Sequence, residues 1–128
     1  MAKTTQIIVS AESKPGVLAK VCDTLGKAGV NIAAICAGDS TGRGKIRLVV
    51  SDPARARAAL GSAKIRFGEE PALLLSLDDR PGALADVAAR LAAARINIKC
   101  AYASSTGGGR AQVVLAVANP DKAERALA

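Results

Sequence analysis

The chain has almost no aromatic side chains. Phe67 and Tyr102 are its only two, and tryptophan is absent. Proteins that recognise single-stranded nucleic acid stack the bases on aromatic side chains, and this sequence offers almost no such platform. The formal net charge of +7 comes from lysines and arginines that are spread along the chain with no run of three. Although basic surfaces attract phosphate, we therefore expect a solvated basic surface and no nucleic-acid partner.

Histidine is absent as well, which removes the commonest general base and the commonest metal ligand. Serines are plentiful, but no residue is indicated as the base that would activate one. The three cysteines, Cys22, Cys36 and Cys100, are odd in number and lack metal-like spacing. They favour reduced thiols in a cytoplasmic protein. We therefore expect neither an enzyme nor a protein that binds a cofactor or a metal.

Long apolar runs are also missing. None approaches the roughly 18 residues that a membrane-spanning helix needs, and residues 1–4 do not resemble a signal peptide. We expect no membrane association. Half of the 128 residues are nonetheless hydrophobic, so a core of Ala, Val, Leu and Ile is expected.

One segment of the chain occurs twice. Residues 15–32 and 81–98, sixty-six positions apart, are identical at nine of eighteen positions. Each copy begins with a Pro-Gly pair and ends with Asn-Ile, and each follows an apolar run. A fixed internal period indicates one supersecondary unit used twice. We therefore predict two repeats, residues 1–69 and residues 70–128.

The first repeat reads as β-α-β-β-α-β. Strands are predicted at residues 5–10, 32–37, 45–50 and 64–67, with a hairpin turn at residues 38–44. Pro15 is predicted at the first position of the first helix, and Gly29 in a left-handed conformation after that helix. Asp52 is predicted to cap the second helix and Gly61 to end it. This is the order of ferredoxin-like domains, an α+β class with the helices on one face of an antiparallel sheet.

The second repeat follows the same plan and then stops short. Strands are predicted at residues 71–77, 98–103 and 112–117, with a turn at residues 104–110, a helix at residues 82–94 and a last helix capped by Asn119. Arg95 stands where Gly29 stands, and a left-handed backbone costs a non-glycine residue roughly 1 kcal/mol. The final strand is missing after Ala128, which leaves an edge strand open to pairing. We predict seven strands, or alternatively that residues 64–67 serve the edge of the second repeat.

The repeated loop has the chemistry of an amino-acid site. Gly16 and Gly82 do not block approach to the first free N–H groups of a helix, and such a helix start suits a carboxylate. Asn31 and Asn97 each both donate and accept hydrogen bonds. Acceptors for an ammonium group are offered nearby by Glu12, Ser13, Asp78 and Asp79. The pattern, present twice, favours binding of a free amino acid.

These residues resemble the ACT domain, a small regulatory module of amino-acid metabolism. The resemblance lies in strand, x-x-P-G-x-L-A, helix, G-V-N-I (residues 29–32), hairpin and second helix, and it covers nearly the whole chain twice. It implies a free-standing tandem ACT protein without a catalytic domain, which binds an amino acid and regulates an enzyme or transporter. It also implies that the two repeats pair side by side through their second strands to give one continuous sheet.

The resemblance further implies a ligand at the junction of the repeats, where the loop of one meets the asparagine of the other. One implied site consists of Ala11, Ser13, Pro15, Gly16, Val17 and Leu18 with Asn97. The other consists of Leu77, Asp79, Pro81, Gly82, Ala83 and Leu84 with Asn31. The position four before the proline, polar in some binders, is Ala11 in one loop and Leu77 in the other.

Two other functions compete with this interpretation. The tandem could be a structural dimerisation module without a ligand, and ligand-induced thermal stabilisation separates the two readings. An acylphosphatase-like enzyme would use an Arg and an Asn, which Arg80 and Asn97 imitate, but the glycine-rich phosphate loop is missing.

We also expect a homodimer that packs through sheet faces. Several strands are apolar at consecutive positions, so that both sheet faces carry hydrophobic side chains. The runs are residues 7–9, 48–50, 73–75 and 113–117. An exposed patch of several hundred Å² is seldom tolerated by a soluble monomer, and a second copy would cover it.

Overall fold

The computed structural model describes residues 1–40, 42–105 and 107–128. Both predicted hairpin turns contain a residue outside this part of the chain, Thr41 in one and Thr106 in the other. The strands are β1 (Ala2–Glu12), β2 (Ile32–Ser40), β3 (Arg43–Val50), β4 (Phe67–Asp78), β5 (Cys100–Ser105) and β6 (Arg110–Ala116). The helices are α1 (Val17–Lys27), α2 (Pro53–Ser62), α3 (Ala83–Ala93) and α4 (Pro120–Leu127).

The strands form a six-stranded sheet in the order β2-β3-β1-β4-β6-β5. The strand pairs β1·β3, β2·β3, β4·β6 and β5·β6 are antiparallel. The α+β, ferredoxin-like prediction is confirmed, but the count of seven strands is wrong for the described residues. Residues 64–67 do not form a strand of their own, because β4 begins at Phe67 and continues through Pro71 to Asp78.

The chain divides into two compact units that share the two longest strands. The first unit is Gln6–Glu69, and the second unit is Met1–Thr5 together with Glu70–Ala128. Within the second unit, the start of β1 takes the place beside β4 that a fourth strand would occupy. The second unit therefore takes its fourth strand from residues 1–5.

The core of the first unit lies between one sheet face and two helices. Ile7 stands opposite Leu48 in the β1·β3 register, and both side chains are fully buried. The predicted apolar stripe of α1 supplies Val21 and Leu25 to the same cluster, and α2 supplies Leu60. Both helices therefore pack on the same face of the strands, as predicted.

The helix ends of the first unit follow the predictions in part. The Arg55 backbone N–H donates to Asp52 Oδ1 over 3.1 Å at the start of α2, and Gly29 has a φ of +75° after α1. The prediction that Gly61 ends α2 is wrong, since the helix runs to Ser62. Lys64 takes the left-handed position instead, with a φ of +59°.

The second unit is built in the same way. Its core cluster joins Leu73 and Leu115, which are opposite each other in the β4·β6 register, to Leu91 of α3. The Lys122 N–H donates to the Asn119 side chain over 3.1 Å, so the predicted cap of α4 is confirmed. Arg95 has a φ of +58°, as its position relative to Gly29 predicted. The strand predicted from residue 98 begins later, at Cys100.

The apolar runs that predicted a sheet-face dimer are mostly covered within the chain. Ile8 and Leu74 are half-buried, and the other members of those runs are buried. Among the described residues, the large hydrophobic side chains that are exposed are Met1, Leu18, Ile35 and Leu84. The expected exposed patch is therefore absent from the described residues, which removes the observation behind the sheet-face dimer. The dimer itself stays a prediction.

Candidate functional site

The Pro-Gly loop of the first unit connects β1 to α1. The Ser13 N–H donates to the carbonyl oxygen of Gly42 over 2.9 Å, which ties the loop to the β2–β3 hairpin. Pro15 was predicted at the first helical position, but it precedes the helix. Gly16 is the N-cap, with a φ of +93°. A left-handed backbone favours glycine, so the turn is made by the pair and the helix starts at Val17.

A cavity of about 230 Å³ opens beside this loop. We call it the loop cavity, and it is lined by Ala11, Glu12, Ser13, Lys14, Val17, Leu18, Ala37, Gly38, Asp39, Gly44 and Ile46. Four predicted site residues, Ala11, Ser13, Val17 and Leu18, are thus brought together. Pro15 and Gly16 shape the turn and do not line the cavity.

The loop cavity combines hydrogen-bond donors with acceptors. No side chain caps α1, so N–H groups of its first turn lack an intrahelical partner and are suited to an anion. Two carboxylates, Glu12 and Asp39, line the same cavity and can accept hydrogen bonds from an ammonium group. Glu12 Oε2 is 3.7 Å from Lys14 Nζ, and both side chains are largely exposed. Val17, Leu18 and Ile46 supply an apolar part.

The matching loop of the second unit has its polar groups already occupied. Ser105 Oγ donates to Asp79 Oδ2 over 2.6 Å, and the Asp79 N–H donates to Gly109 over 3.0 Å. The Arg110 guanidinium pairs with Asp78 and also donates to Ser76 Oγ over 3.2 Å. These contacts hold the loop against its own hairpin and leave fewer polar groups for a ligand.

A cavity of about 380 Å³ in the second unit borders the predicted residues only in part. Leu77 and Ala83 line it, whereas Asp79, Pro81, Gly82 and Leu84 do not. Gly82 has a φ of +86° and caps α3 as Gly16 caps α1.

Asn31 directly precedes β2 and Asn97 lies three residues before β5, and neither lines the cavity of its own unit. The Asn31 N–H donates to Ser51 Oγ over 3.0 Å, and its carbonyl accepts from the Ser51 N–H over 2.9 Å. Seven residues of strand at about 3.3 Å each put roughly 23 Å between Asn31 and Gly38. Asn31 and Asn97 are both exposed. Their pairing with the loop of the other repeat stays a prediction.

The side-by-side pairing of second strands within the chain is wrong. The second strands of the repeats are β2 and β5, and these are the first and the last in the strand order. The physical reason is that β1 and β4 are long enough, at 11 and 12 residues, to be neighbours in the sheet and serve both units.

Asp39 is the residue of the loop cavity that sequence reasoning missed. It was assigned to the turn at residues 38–44, but β2 extends to Ser40 and carries Asp39 to the cavity wall. The sequence offered no signal for it, because residues 38–44 have the composition of a turn throughout. The Asp39↔Gly44 pairing is visible only in the structure.

Within the described ranges, no group of three or more Cys, Asp or Glu side chains is placed to hold a metal ion. No helix in the described part of the chain is long and apolar enough to cross a membrane.

The fold of this chain is shared with known proteins. The family model for an ACT domain pair matches residues 2–128. A crystal structure of protein BT0572 from Bacteroides thetaiotaomicron is 30% identical, with a TM-score of 0.89, and the match covers 98% of this chain and 86% of that one. A search of curated proteins found no match.

Structures at lower identity share the fold. The ligand-free regulatory subunit of aspartate kinase from Thermus thermophilus is 20% identical, with a TM-score of 0.70 over 99% of this chain and 95% of that one. The corresponding subunit from Thermus flavus is 20% identical, with a TM-score of 0.67 over 98% and 88%. Since the family model spans both repeats and their Pro-Gly loops, this chain belongs to the ACT domain pair family.

Proposed function

We propose that the chain is an amino-acid-sensing regulatory protein whose ligand binds in the loop cavity of the first unit. The observation that carries the proposal is the meeting of an uncapped helix start with two carboxylates in one cavity. The regulatory subunits of aspartate kinase share the fold, which supports a regulatory role on a partner enzyme. A transporter is the other kind of partner that such a module would regulate.

A free amino acid fits the chemistry of this cavity. Its carboxylate would lie at the first turn of α1, where N–H groups point outward. Its ammonium group would be held by Asp39 and Glu12. A volume of about 230 Å³ is below the 300–1,000 Å³ of pockets for drug-sized ligands. The side chain of the ligand is therefore small and lies against Val17 and Leu18.

The second loop serves as scaffold in this proposal. Asp79 is bonded to Ser105, and Asp78 to Arg110. A ligand would have to displace these contacts before using either carboxylate. We therefore place the ligand in the first unit, and the second implied site is the weaker one.

A homodimer is part of the proposal. β2 is the first strand in the sheet order, so one of its edges has no neighbouring strand among the described residues. Antiparallel pairing of two copies of β2 would bring Asn31 of the second copy beside Asp39 at the end of the first. Leu18 and Ile35, exposed at 45% and 43%, would be covered in the same step.

A thermal-shift screen against the twenty amino acids tests the proposal. We expect one or a few small amino acids to raise the melting temperature, because only a ligand that binds the folded state stabilises it. If none does so at millimolar concentration, the protein is a structural dimerisation module and the sensing proposal is wrong.

Matched variants test where the ligand binds. Asp39→Asn removes a charged hydrogen-bond acceptor and should weaken binding by roughly 1.5–3 kcal/mol, about tenfold to 150-fold. Asp78→Asn makes the same change in the second loop and should leave the affinity within twofold. Equal losses in both variants would contradict the assignment to the first unit.

The asparagines give a third measurement. Asn31→Ala should weaken ligand binding by a similar roughly 1.5–3 kcal/mol if the dimer completes the site, and Asn97→Ala tests the pairing of repeats within one chain. Light scattering should give about twice the chain mass of 12.9 kDa. If both alanine variants bind as tightly as the parent, neither asparagine belongs to the site.

A further inference from the structure

A second cavity of the first unit is lined by positive charge. It has a volume of about 280 Å³ and adjoins the loop cavity, with which it shares Ala11, Lys14 and Val17. We call it the basic cavity. It is lined by Val9, Ala11, Lys14, Lys20, Val17, Val21, Lys64, Ile65 and Arg66. Four of these nine residues are cationic, and none is acidic.

The four cations come from three separate segments of the unit. Lys14 belongs to the loop after β1, Lys20 to α1, and Lys64 and Arg66 to the segment between α2 and β4. Like charges that converge in this way repel one another. A concave wall lined by one sign of charge raises the local concentration of the opposite ion.

These charges are mostly not neutralised by the protein. Lys14 Nζ lies 3.7 Å from a carboxylate oxygen of Glu12. Within the described residues, Lys20, Lys64 and Arg66 make no ion pair. An anion entering the cavity would therefore meet three cationic side chains that are not already paired with a carboxylate.

At the corresponding positions of the second unit, a positive charge is neutralised by a carboxylate. Arg80 and Asp86 stand at the positions of Lys14 and Lys20, sixty-six residues later. Arg80 Nη2 and Asp86 Oδ2 form an ion pair at 3.4 Å. The same architecture therefore balances its charge in one unit and leaves it unbalanced in the other.

The backbone at Lys64 adds a second observation. Its φ of +59° lies in the left-handed region, which disfavours side chains other than glycine and is commonly filled by glycine after a helix. A lysine at this position contributes a positive charge but strains the backbone. A glycine there would serve the end of α2 better.

We propose that the basic cavity binds a small multivalent anion, one that carries phosphoryl groups or several carboxylates. The ligand is a small molecule and not a nucleic acid, because the floor consists of Val9, Val17, Val21 and Ile65. No aromatic side chain lines it on which a base could stack. This inference goes beyond the proposed amino-acid site and does not depend on it.

Calorimetric titration with pyrophosphate and, separately, with citrate tests the proposal at an ionic strength held constant with KCl. We expect saturable binding of one anion per chain, and comparing the two arms separates phosphoryl from carboxylate preference. The double variant Lys20→Gln/Arg66→Gln should weaken binding at least tenfold. The double variant Lys99→Gln/Lys122→Gln removes two exposed charges from the second unit and should change the affinity less than twofold.

Lys64→Gly separates binding from folding. It removes one cation and relieves the left-handed strain, so it should weaken pyrophosphate binding several-fold while raising the melting temperature.

Two results would overturn the proposal. Equal weakening by the two double variants would show only diffuse attraction to a basic surface. Tighter binding of a mixed-sequence single-stranded RNA than of either small anion, lost in Lys20→Gln/Arg66→Gln, would show a nucleic-acid surface instead.

Discussion

Two glycines of the same helix region should respond in opposite directions to the same substitution. Gly16 is the N-cap of α1 with a φ of +93°, whereas Gly26 lies inside α1 without a positive φ. A Cβ built at either position meets no atom within 4 Å. Steric contact therefore plays no part, and only the backbone conformation distinguishes Gly16→Ala from Gly26→Ala.

The magnitudes follow from that difference. At Gly16 the left-handed conformation costs an L-residue about 1–2 kcal/mol, offset by about 0.4–1 kcal/mol from the less flexible unfolded chain. A net loss of about 1 kcal/mol in the free energy of unfolding is expected. At Gly26 alanine gains helix propensity, and stability should rise by about 0.5–1 kcal/mol.

Urea denaturation measures both changes. With a slope of about 1–3 kcal/mol per molar urea, 1 kcal/mol moves the midpoint by about 0.3–1 M. The midpoint should fall for Gly16→Ala and rise for Gly26→Ala, with unchanged slopes. Gly82→Ala, at a φ of +86°, should fall like Gly16→Ala. Shifts of the same sign for Gly16 and Gly26 would refute the backbone explanation.

Two further predictions concern helix caps and pH. Asp52→Ala and Asn119→Ala each remove a capping hydrogen bond and should each lower the free energy of unfolding by about 1 kcal/mol in urea denaturation; no loss in either variant would contradict the caps. A hydrogen bond from Lys3, at 2.6 Å, holds the pKa of Asp121 below its ordinary value of 3.8, and the bond to Asp121 raises the pKa of Lys3 above 10.5. The Asp121 contribution is present above pH 3.8 and is lost as the pH falls through the lowered pKa, whereas the Lys3 contribution is lost as the pH rises through the raised one. Lys3→Met should therefore lower thermal stability slightly at pH 7, and this difference should shrink as the pH falls below 3.8. A difference that does not shrink in acid would contradict the ion pair.

Much of the local structure was readable from the sequence because local rules decide it. Asp52 and Asn119 precede a proline at the first helical position, and both cap as predicted. The repeat placed Arg95 in a left-handed position by analogy with Gly29, and the structure agrees. A residue's neighbours along the chain are enough to set such features.

The partnership of strands was not readable, because it depends on residues far apart in the chain. Residues 68–70 were predicted to separate two strands. Nothing near Pro71 requires a turn, however, so β4 runs unbroken from Phe67 to Asp78. The sequence pattern also could not show that Met1–Thr5 belongs with the second unit. For the same reason the sheet order, and with it the place of β2 and β5, could only come from the structure.

The candidate site shows the same limit on a smaller scale. The repeat made the two loops look equivalent, since both carry Pro-Gly and a polar residue two positions earlier. The equivalence ends at the hairpin that faces each loop. Ser105 reaches Asp79 in the second unit, while the matching position in the first unit is Asp39, on the wall of an open cavity.

This exchange is the reason why we place the ligand in the first loop. A serine opposite an aspartate forms a hydrogen bond and satisfies both groups, so the second loop is closed by its own hairpin. In the first unit the pair is reversed, with Ser13 in the loop and Asp39 on the hairpin, and both residues line the loop cavity. In the proposal, the ammonium group of the ligand pairs with Asp39 in the first unit, whereas Asp79 in the second unit already accepts from Ser105. The proposal therefore assigns ligand recognition to the first loop and a structural role to the second.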